Sequence, residues 1–550
     1  MSEDEEIPDP YEVLEDSDHA FWAEAVADAV ENRAGSEPIV LKGGVSPSGI
    51  PHIGHANEIL RCYFVAEVLR SRGHEVRQVF TTDDRDRLRS LPRQLADLDG
   101  NVVGLGDVDA GALGRNLGKP YTDIPDPFGC CDSYGAHFTE LLEREIAKLD
   151  VDVDVVSNTA LYERGEFEPV TRQVLRNQDR AREVLSQYQE KIDEEYVPFF
   201  ARCGDCGHLT ETITGVDLDA GTVSYRCTDA DAGEETIEGC GHEGQTDLTD
   251  GKLPWRFEWP AQWKVLDVDF EPFGKDHAEG SWPSGVDIAR EVVDVTPPVG
   301  MVYEWFTLDG EALSSSAGNV ITVSEVLDIL EPAVFRYFFS KPPLKQRDFS
   351  IETIDQLVDE FDRFERVYFG ETDAESSERE LARQAYPTVV EEPREERVRI
   401  PYTFAAVLGM TDDPAQRAEI ARREGHIPPD TPQWAIDEAL ARVEKASEWA
   451  RLTDNAFNYE LKRDELPTVE FDEATEAALD ELAAVVAEGG DGDEIQREIF
   501  EIAKRNDLDV GEFFAAGYTL LFDDTEGPKL GPFLAKLDRE FVVNRLRRER

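Results

Sequence analysis

The chain has 550 residues, and its 118 Asp and Glu against 56 Lys and Arg give a formal charge of −62. Only 14 of the basic residues are Lys. This balance excludes a protein organised around a broad basic face at ordinary ionic strength, since phosphate contacts dominate nucleic-acid affinity and weaken with salt. It suits a cytosol of very high salt, where the Debye length falls to about 3 Å or less and dispersed carboxylates no longer repel one another strongly. With 40% hydrophobic residues the chain can bury a large core and is not read as disordered. No run of about 18 apolar residues exists, and the acidic start lacks the features of a signal peptide, so a cytoplasmic protein with no membrane span is expected.

Residues 1–14 read as a flexible acidic start, and Glu371 to Glu396 as a second flexible stretch. Pro38 to Leu41 is a short buried strand and Ala56 to Leu69 has helical spacing, so Val45 to Glu58, V-S-P-S-G-I-P-H-I-G-H-A-N-E, falls on a strand-to-helix junction. Unpaired N–H groups at a helix start face bound anions, and a loop rich in Gly and Pro lets phosphate approach. His52 and His55 can donate to triphosphate oxygens as charge builds, while Gly54 leaves room for a flat base. Glu75 to Phe80 is a second strand, with Asp83 and Asp84 just beyond its end.

Seven cysteines in a cytosolic chain point to metal before disulfide. Cys203-Gly204-Asp205-Cys206, then Cys227 and Cys240-Gly241-His242, has the two-knuckle pattern of a zinc ribbon, although twelve residues separate Cys227 from Cys240 and His242 could replace one ligand. Asp126, Cys130, Cys131 and His137 form a second set, between a Pro-rich turn and a helix beginning near Tyr134. Cys62 reads as core. Gly300 to Thr307 is a late strand, Leu308 to Glu311 a turn, and Ala312 to Asn319 a Ser-rich loop. Beyond Ile351 the periodicity is helical, with helices expected over 354–367, 403–408, 416–423, 432–450, 474–486 and 494–504.

The His52-Ile53-Gly54-His55 signature and the loop at Ala312-Leu313-Ser314-Ser315-Ser316 resemble the two signatures of class I aminoacyl-tRNA synthetases. Ala312 and Ser315 stand where that family has lysines, so the loop offers hydroxyls and N–H groups without fixed positive charge. Gly44 to Gly49, Ile124 to Cys130, Trp255 to Trp263, Glu271 to His277 and Tyr303 to Trp305 resemble the archaeal class I lysyl-tRNA synthetases, and the likeness recurs over roughly residues 15–350. The resemblance implies an α/β fold: a Rossmann-type doubly wound parallel sheet with a zinc-binding insertion and an α-helical C-terminal domain. Expected boundaries are 15–115 and 251–350 for the two halves of the catalytic domain, 116–250 for the insertion and 351–550 for a helical anticodon-binding domain.

The same resemblance implies a lysine–tRNA ligase working as a monomer on ATP, L-lysine and tRNA(Lys) with Mg²⁺ and Zn²⁺. His52, His55, Ser314, Ser315 and Ser316 would be catalytic. Pro47, Ser48, Gly49, Gly54, Ala312, Leu313, Gly274 and Asp276 would bind ATP. Gly44 and Ser46 would meet the amino acid's backbone, and Trp255, His277 and Tyr303 would line its pocket, with Asp83 and Asp84 as candidates to fix the ε-ammonium. In place of Cys131 that family would carry a His. A small-molecule nucleotidyltransferase shares the H-x-G-H logic, and a catalytically silent RNA-binding or regulatory relative fits the missing loop lysines. Both stay open from the sequence.

Overall fold

The computed structural model describes residues 9–14, 18–190, 192–232, 235–313, 320–395, 397–411, 413–459, 461–462 and 466–549. The chain divides into two compact units: Met1–Val326 with Pro332–Ser350 and Arg363–Pro393, and Leu327–Glu331 with Ile351–Asp362 and Arg394–Arg550.

The first unit is built on a five-stranded sheet of β1 (Ile39–Val45), β2 (Val76–Thr82), β3 (Asp154–Ser157), β4 (Phe270–Gly274) and β5 (Val299–Tyr303), ordered β5-β4-β1-β2-β3. All four pairings are parallel. Its helices include α1 (Trp22–Glu31), α2 (Ile53–Ser71), α3 (Tyr134–Lys148) and α4 (Trp255–Leu266). Alternate residues of β2 show why the sheet is covered on both faces. Val79 joins a core containing Phe257, Trp259 and Trp263 of α4, while Phe80 joins one made with Ile59 of α2 and Leu142 and Ile146 of α3. The chain runs from β1 through β2 to β3 on one side and returns through β4 to β5 on the other, so the switch point lies between β1 and β4. In open parallel sheets ligands bind at the carboxyl ends of the strands there.

Three expectations need correction. The insertion expected over 116–250 contributes β3 to the main sheet, where Asp154 to Ser157 pair with Val79 to Thr82, and its α3 packs on the sheet. The late strand breaks after Tyr303: Phe306–Leu308 belongs to a separate sheet, pairing with Glu311–Ala312 and Arg347–Phe349. Asp309 and Gly310 both have positive φ, 49° and 81°, which makes the turn a two-residue type I′ hairpin. The stretch read as flexible, Glu371 to Glu396, holds a helix, Ser376–Val389, that buries Ala382, Ala385, Tyr386 and Val389 within the first unit. Ser314, Ser315 and Ser316 lie outside the described residues.

The second unit is helical as expected, with Tyr402–Leu408, Pro414–Arg423, Gln433–Thr453, Glu473–Glu488 and Gly492–Arg505 close to their predicted bounds. Val510–Phe522 and Arg539–Leu546 are further helices that periodicity alone did not reveal. Inside this unit Arg442 makes a bidentate pair with Asp362, both contacts 2.9 Å.

Candidate functional site

The first signature opens α2. His52 is its N-cap, and the two imidazoles close a reciprocal box: the Gly54 N–H donates to His52 Nδ1 at 3.0 Å, and the His52 N–H donates to His55 Nδ1 at 3.2 Å. The rings stack with centroids 4.1 Å apart. Burial pushes the His52 pKa down to about 4 and that of His55 well below its ordinary value, so both rings are neutral. With Nδ1 accepting from backbone, each ring carries its proton on Nε2 and presents one donor for an anion. A Cβ on Gly54 would lie 2.6 Å from His52 Cε1. The glycine is therefore what lets the capping imidazole fold back over the helix start.

One helical turn on, Glu58 joins the strands of the switch point. The Gly44 N–H donates to Glu58 Oε1 at 2.7 Å, and the Tyr303 hydroxyl donates to Oε2 at 2.9 Å. Burial raises Glu58 to about 7 despite these two donors. Gly44 is tightly constrained, since a Cβ would collide with Thr81 of the neighbouring strand. Ser46 Oγ donates to Asp86 Oδ2 at 3.0 Å, and Asp86 also binds the Lys252 ammonium. Lys252 Nζ lies 2.6 Å from Glu258 Oε2 as well, and this lysine is almost fully enclosed. Pro47 is buried, Ser48 exposed, and nothing lies within 4 Å of a Cβ placed on Gly49.

The aromatic wall forms from α4 and the segment after β4. Trp255 stacks on Trp259 at 5.3 Å and 14°, and the His277 ring lies 5.6 Å from Trp259 and 6.2 Å from Trp255. His277 Nδ1 lies 3.1 Å from Ser281 Oγ. At Gly274 a Cβ would come within 2.6 Å of Asp276 Oδ1, so this carboxylate folds over the bare backbone at the end of β4. Ala312 is exposed and Leu313 half-buried.

The two acids after β2 have different surroundings. Asp84 caps the helix Asn158–Glu163, accepting from the Thr159 N–H at 2.8 Å and Ser157 Oγ at 2.5 Å. Asp83 Oδ1 accepts from Asn158 Nδ2 at 2.6 Å and Gln262 Nε2 at 3.0 Å. Burial, reinforced by the neighbouring carboxylates of Glu258 and Asp86, raises Asp83 well above the usual range. Asn158 Oδ1 and Gln262 Oε1 are buried with no hydrogen-bond partner among the described residues. A buried carboxyl group beside two unsatisfied carbonyl oxygens suits an ammonium. Glu58, Asn158 and Gln262 were not singled out from sequence: one more acid or amide in this composition carries no signal, and their partners are distant along the chain.

The four cysteines 203, 206, 227 and 240 come together with ligand atoms within 4.8 Å of one another. Two matching turns achieve this. The Cys203 N–H donates to His208 O and the Gly207 N–H to Cys203 O; likewise the Cys227 N–H donates to His242 O and the Gly241 N–H to Cys227 O. Gly207 and Gly241 have φ of 79° and 77°. The twelve residues between Cys227 and Cys240 leave and re-enter through strands Ala230–Ala232 and Glu235–Ile237, so the loose spacing does not spoil the second knuckle. His242 takes part through its carbonyl, while its ring lies outside the cluster.

Asp126, Cys130, Cys131 and His137 also converge within 4.8 Å. Cys130 Sγ is 3.3 Å from His137 Nδ1, and His137 Nε2 donates to the Ala96 carbonyl at 2.9 Å, which turns the Nδ1 lone pair toward the thiols. Asp126 orders the loop by accepting the N–H groups of Cys130 and Cys131 at 2.7 and 2.8 Å. Cys62 is buried core.

Residues 20–390 match the family model described as tRNA synthetases class I (K). The chain is similar to a lysine–tRNA ligase of Haloarcula marismortui, 72% identical over 98% of this chain and 99% of that one. It is 66% identical to one of Halobacterium salinarum, over 98% and 99%, and 32% identical to one of Pyrococcus horikoshii, over 96% and 99%. With a signature-bearing parallel sheet and a family match over most of its length, the chain belongs to the class I tRNA synthetases.

Proposed function

We propose that this protein is a lysine–tRNA ligase, forming lysyl-adenylate from ATP and L-lysine and passing the lysyl group to the 3′-terminal adenosine of tRNA(Lys). The observation that carries the reading is the 72% identity, end to end, with a lysine–tRNA ligase. The site supports it. Lysine's carboxylate attacks the α-phosphorus of ATP in line, and pyrophosphate leaves. The Nε2 donors of His52 and His55 meet charge that develops on the phosphate oxygens, as neutral rings that need no counter-ion. Ser314 to Ser316 are assigned to the same phosphates from sequence, and Mg²⁺ bound with ATP would supply positive charge there. Pro47, Ser48, Gly49, Gly54, Gly274, Asp276, Ala312 and Leu313 are assigned to ATP. Gly44 and Ser46 hold the lysine backbone and Trp255, His277 and Tyr303 flank its methylene stem. Asp83 with Asn158 and Gln262 receives the ε-ammonium, whose charge offsets the cost of ionising a buried acid. Asp84 supports this group by ordering the helix that carries Asn158.

Both cysteine clusters fit Zn²⁺: four thiolates in one, and a carboxylate, two thiolates and a braced imidazole in the other. The metal would staple segments with little core of their own. Metal analysis should return about two zinc ions per chain, and one in a Cys130→Ser/Cys131→Ser variant. The helical 351–550 region is assigned to the anticodon. The protein is read as a monomer of a salt-rich cytoplasm; among the described residues no helix is long and apolar enough to cross a membrane.

The test is ATP–pyrophosphate exchange in molar KCl against all twenty amino acids, with and without tRNA(Lys). Lysine alone should drive it, and His52→Ala or His55→Ala should slow it at least about tenfold with the fold intact. Exchange without any amino acid would favour a small-molecule nucleotidyltransferase. No exchange, with tRNA still bound, would favour the silent relative.

A further inference from the structure

The chain has Ala312 and Ser315, not cations, where the resemblance to class I synthetases implies lysines. We propose that Arg89 and Arg93 hold the β- and γ-phosphates of ATP in their place, an inference that rests on the ligase reading. A cleft of about 410 Å³ is lined by Ser46, Ser48, Gly49 and His55 of the first signature and by Arg89 and Arg93 of the segment after β2. Not one of its fourteen lining residues is acidic, in a chain where 118 of 550 residues are Asp or Glu. The cleft therefore stands out from the composition as a basic, hydroxyl-rich concavity.

The segment contains four arginines, and their surroundings separate them into two pairs. Arg85 donates to the carbonyls of Gly251 and Thr249 at 2.8 and 2.7 Å, and Arg87 pairs with Glu211 at 2.6 Å and lies over Phe200. Both are buried. Arg89 and Arg93 are exposed, and among the described residues neither has an ion pair or hydrogen bond. Asp86, the carboxylate on which Arg89 acts through space, is already engaged by Lys252 and Ser46. Two exposed guanidiniums therefore border the space that His55 also faces. A guanidinium suits this task in concentrated salt: it is weakly hydrated and grips phosphate through two parallel hydrogen bonds, whereas an ammonium acts as a point charge readily replaced by K⁺.

The experiment compares wild type with Arg89→Gln, Arg93→Gln, the double variant and Arg89→Lys in molar KCl. It reads lysine-dependent ATP–pyrophosphate exchange, tRNA charging, and calorimetric titration of Mg-pyrophosphate into the protein without lysine, with circular dichroism as the fold control. Each Gln variant should raise KM for ATP and pyrophosphate about tenfold, the double about a hundredfold, with KM for lysine within about twofold and Arg89→Lys intermediate. Pyrophosphate should bind wild type measurably and the double variant at least about tenfold more weakly. Unchanged pyrophosphate binding and exchange would overturn the proposal. So would a rise confined to KM for tRNA, which would make these arginines contacts of the acceptor end. If wild type shows no lysine-dependent exchange the ligase reading fails, and the pyrophosphate titration still decides the arginines.

Discussion

Two of the fourteen lysines, Lys42 and Lys252, are enclosed beneath the site at 1% and 2% exposure, and they are satisfied in different ways. Lys42 of β1 pairs with Glu271 of β4 at 2.6 Å, and the carboxylate also accepts from Trp259 Nε1 at 2.9 Å and Trp263 Nε1 at 2.5 Å. Burial pulls the Lys42 pKa down, but Glu271, aided by Asp83, outweighs it and keeps the ammonium charged. This group is closed on itself. Lys252 meets two acids, Glu258 and Asp86, and through Asp86 it reaches Ser46 in the signature loop. Enclosed charges of similar burial can thus brace a sheet or tie a loop to it, depending on whether the chain of bonds ends in core or at the site.

The largest expected effects come from breaking each group. Lys42→Met and Lys252→Met should each cost about 3–5 kcal/mol, because removing one partner strands buried charge. Urea unfolding in molar KCl measures this. Adding Glu271→Leu to Lys42→Met should restore part of the loss, leaving only the neutral Trp259 and Trp263 N–H groups without this acceptor, while adding Glu258→Leu to Lys252→Met should restore less, since the carboxyl groups of Asp86 and Asp83 remain. Equal restoration would erase the distinction between the two groups. A smaller effect is expected from Ser46→Ala, which leaves both lysines paired: KM for lysine should rise about fivefold, roughly 1 kcal/mol, with the melting temperature unchanged. A changed melting temperature with unchanged KM would make Ser46 a bracing residue only.

The finest probe is Glu58, which feels both Glu271 and Lys42. Its folded pKa, about 7, lies above the ordinary 4.5, so the folded state holds this proton more tightly than the unfolded state. Its contribution is therefore favourable at low pH and is lost as pH rises between those values. The stability of Glu58→Gln relative to wild type should improve across that window and level off above it, read as the difference in melting temperature from pH 5 to 8. A flat difference would mean Glu58 ionises freely.

The strand-to-helix junction at Val45 to Glu58 was legible because the chain has only nine histidines and two of them follow a Gly- and Pro-containing turn at a helix start; the structure adds that the histidines cap that helix with their own rings. The Cys203 to Gly207 turn was legible because Cys-x-x-Cys-Gly is a short-range geometry, whereas Cys227 and Cys240 are brought together across twelve residues by the fold. The break at Glu304 and Trp305 was not, since Glu304 turns out of the strand to Lys275 and its N–H meets Pro343 O, partners no local pattern announces. Arg89 and Arg93 were equally silent: four arginines in D-R-D-R-L-R-S-L-P-R look alike until the fold buries two of them.

By itself the sequence determined the parallel α/β architecture, the helical C-terminal half and the position of the signature histidines, because each depends on periodicity or on residues a few positions apart; it offered the two cysteine-containing sets as candidates, and the fold brings their ligand atoms together. Only the tertiary structure decided which acids are chemically distinct. Asp83 and Asp84 are neighbours in the chain, yet one caps a helix and the other sits with unsatisfied amide oxygens from residues 75 and 179 positions away. An acid's environment is set by what the fold packs against it, and in a chain with 118 acids that information exists only in three dimensions.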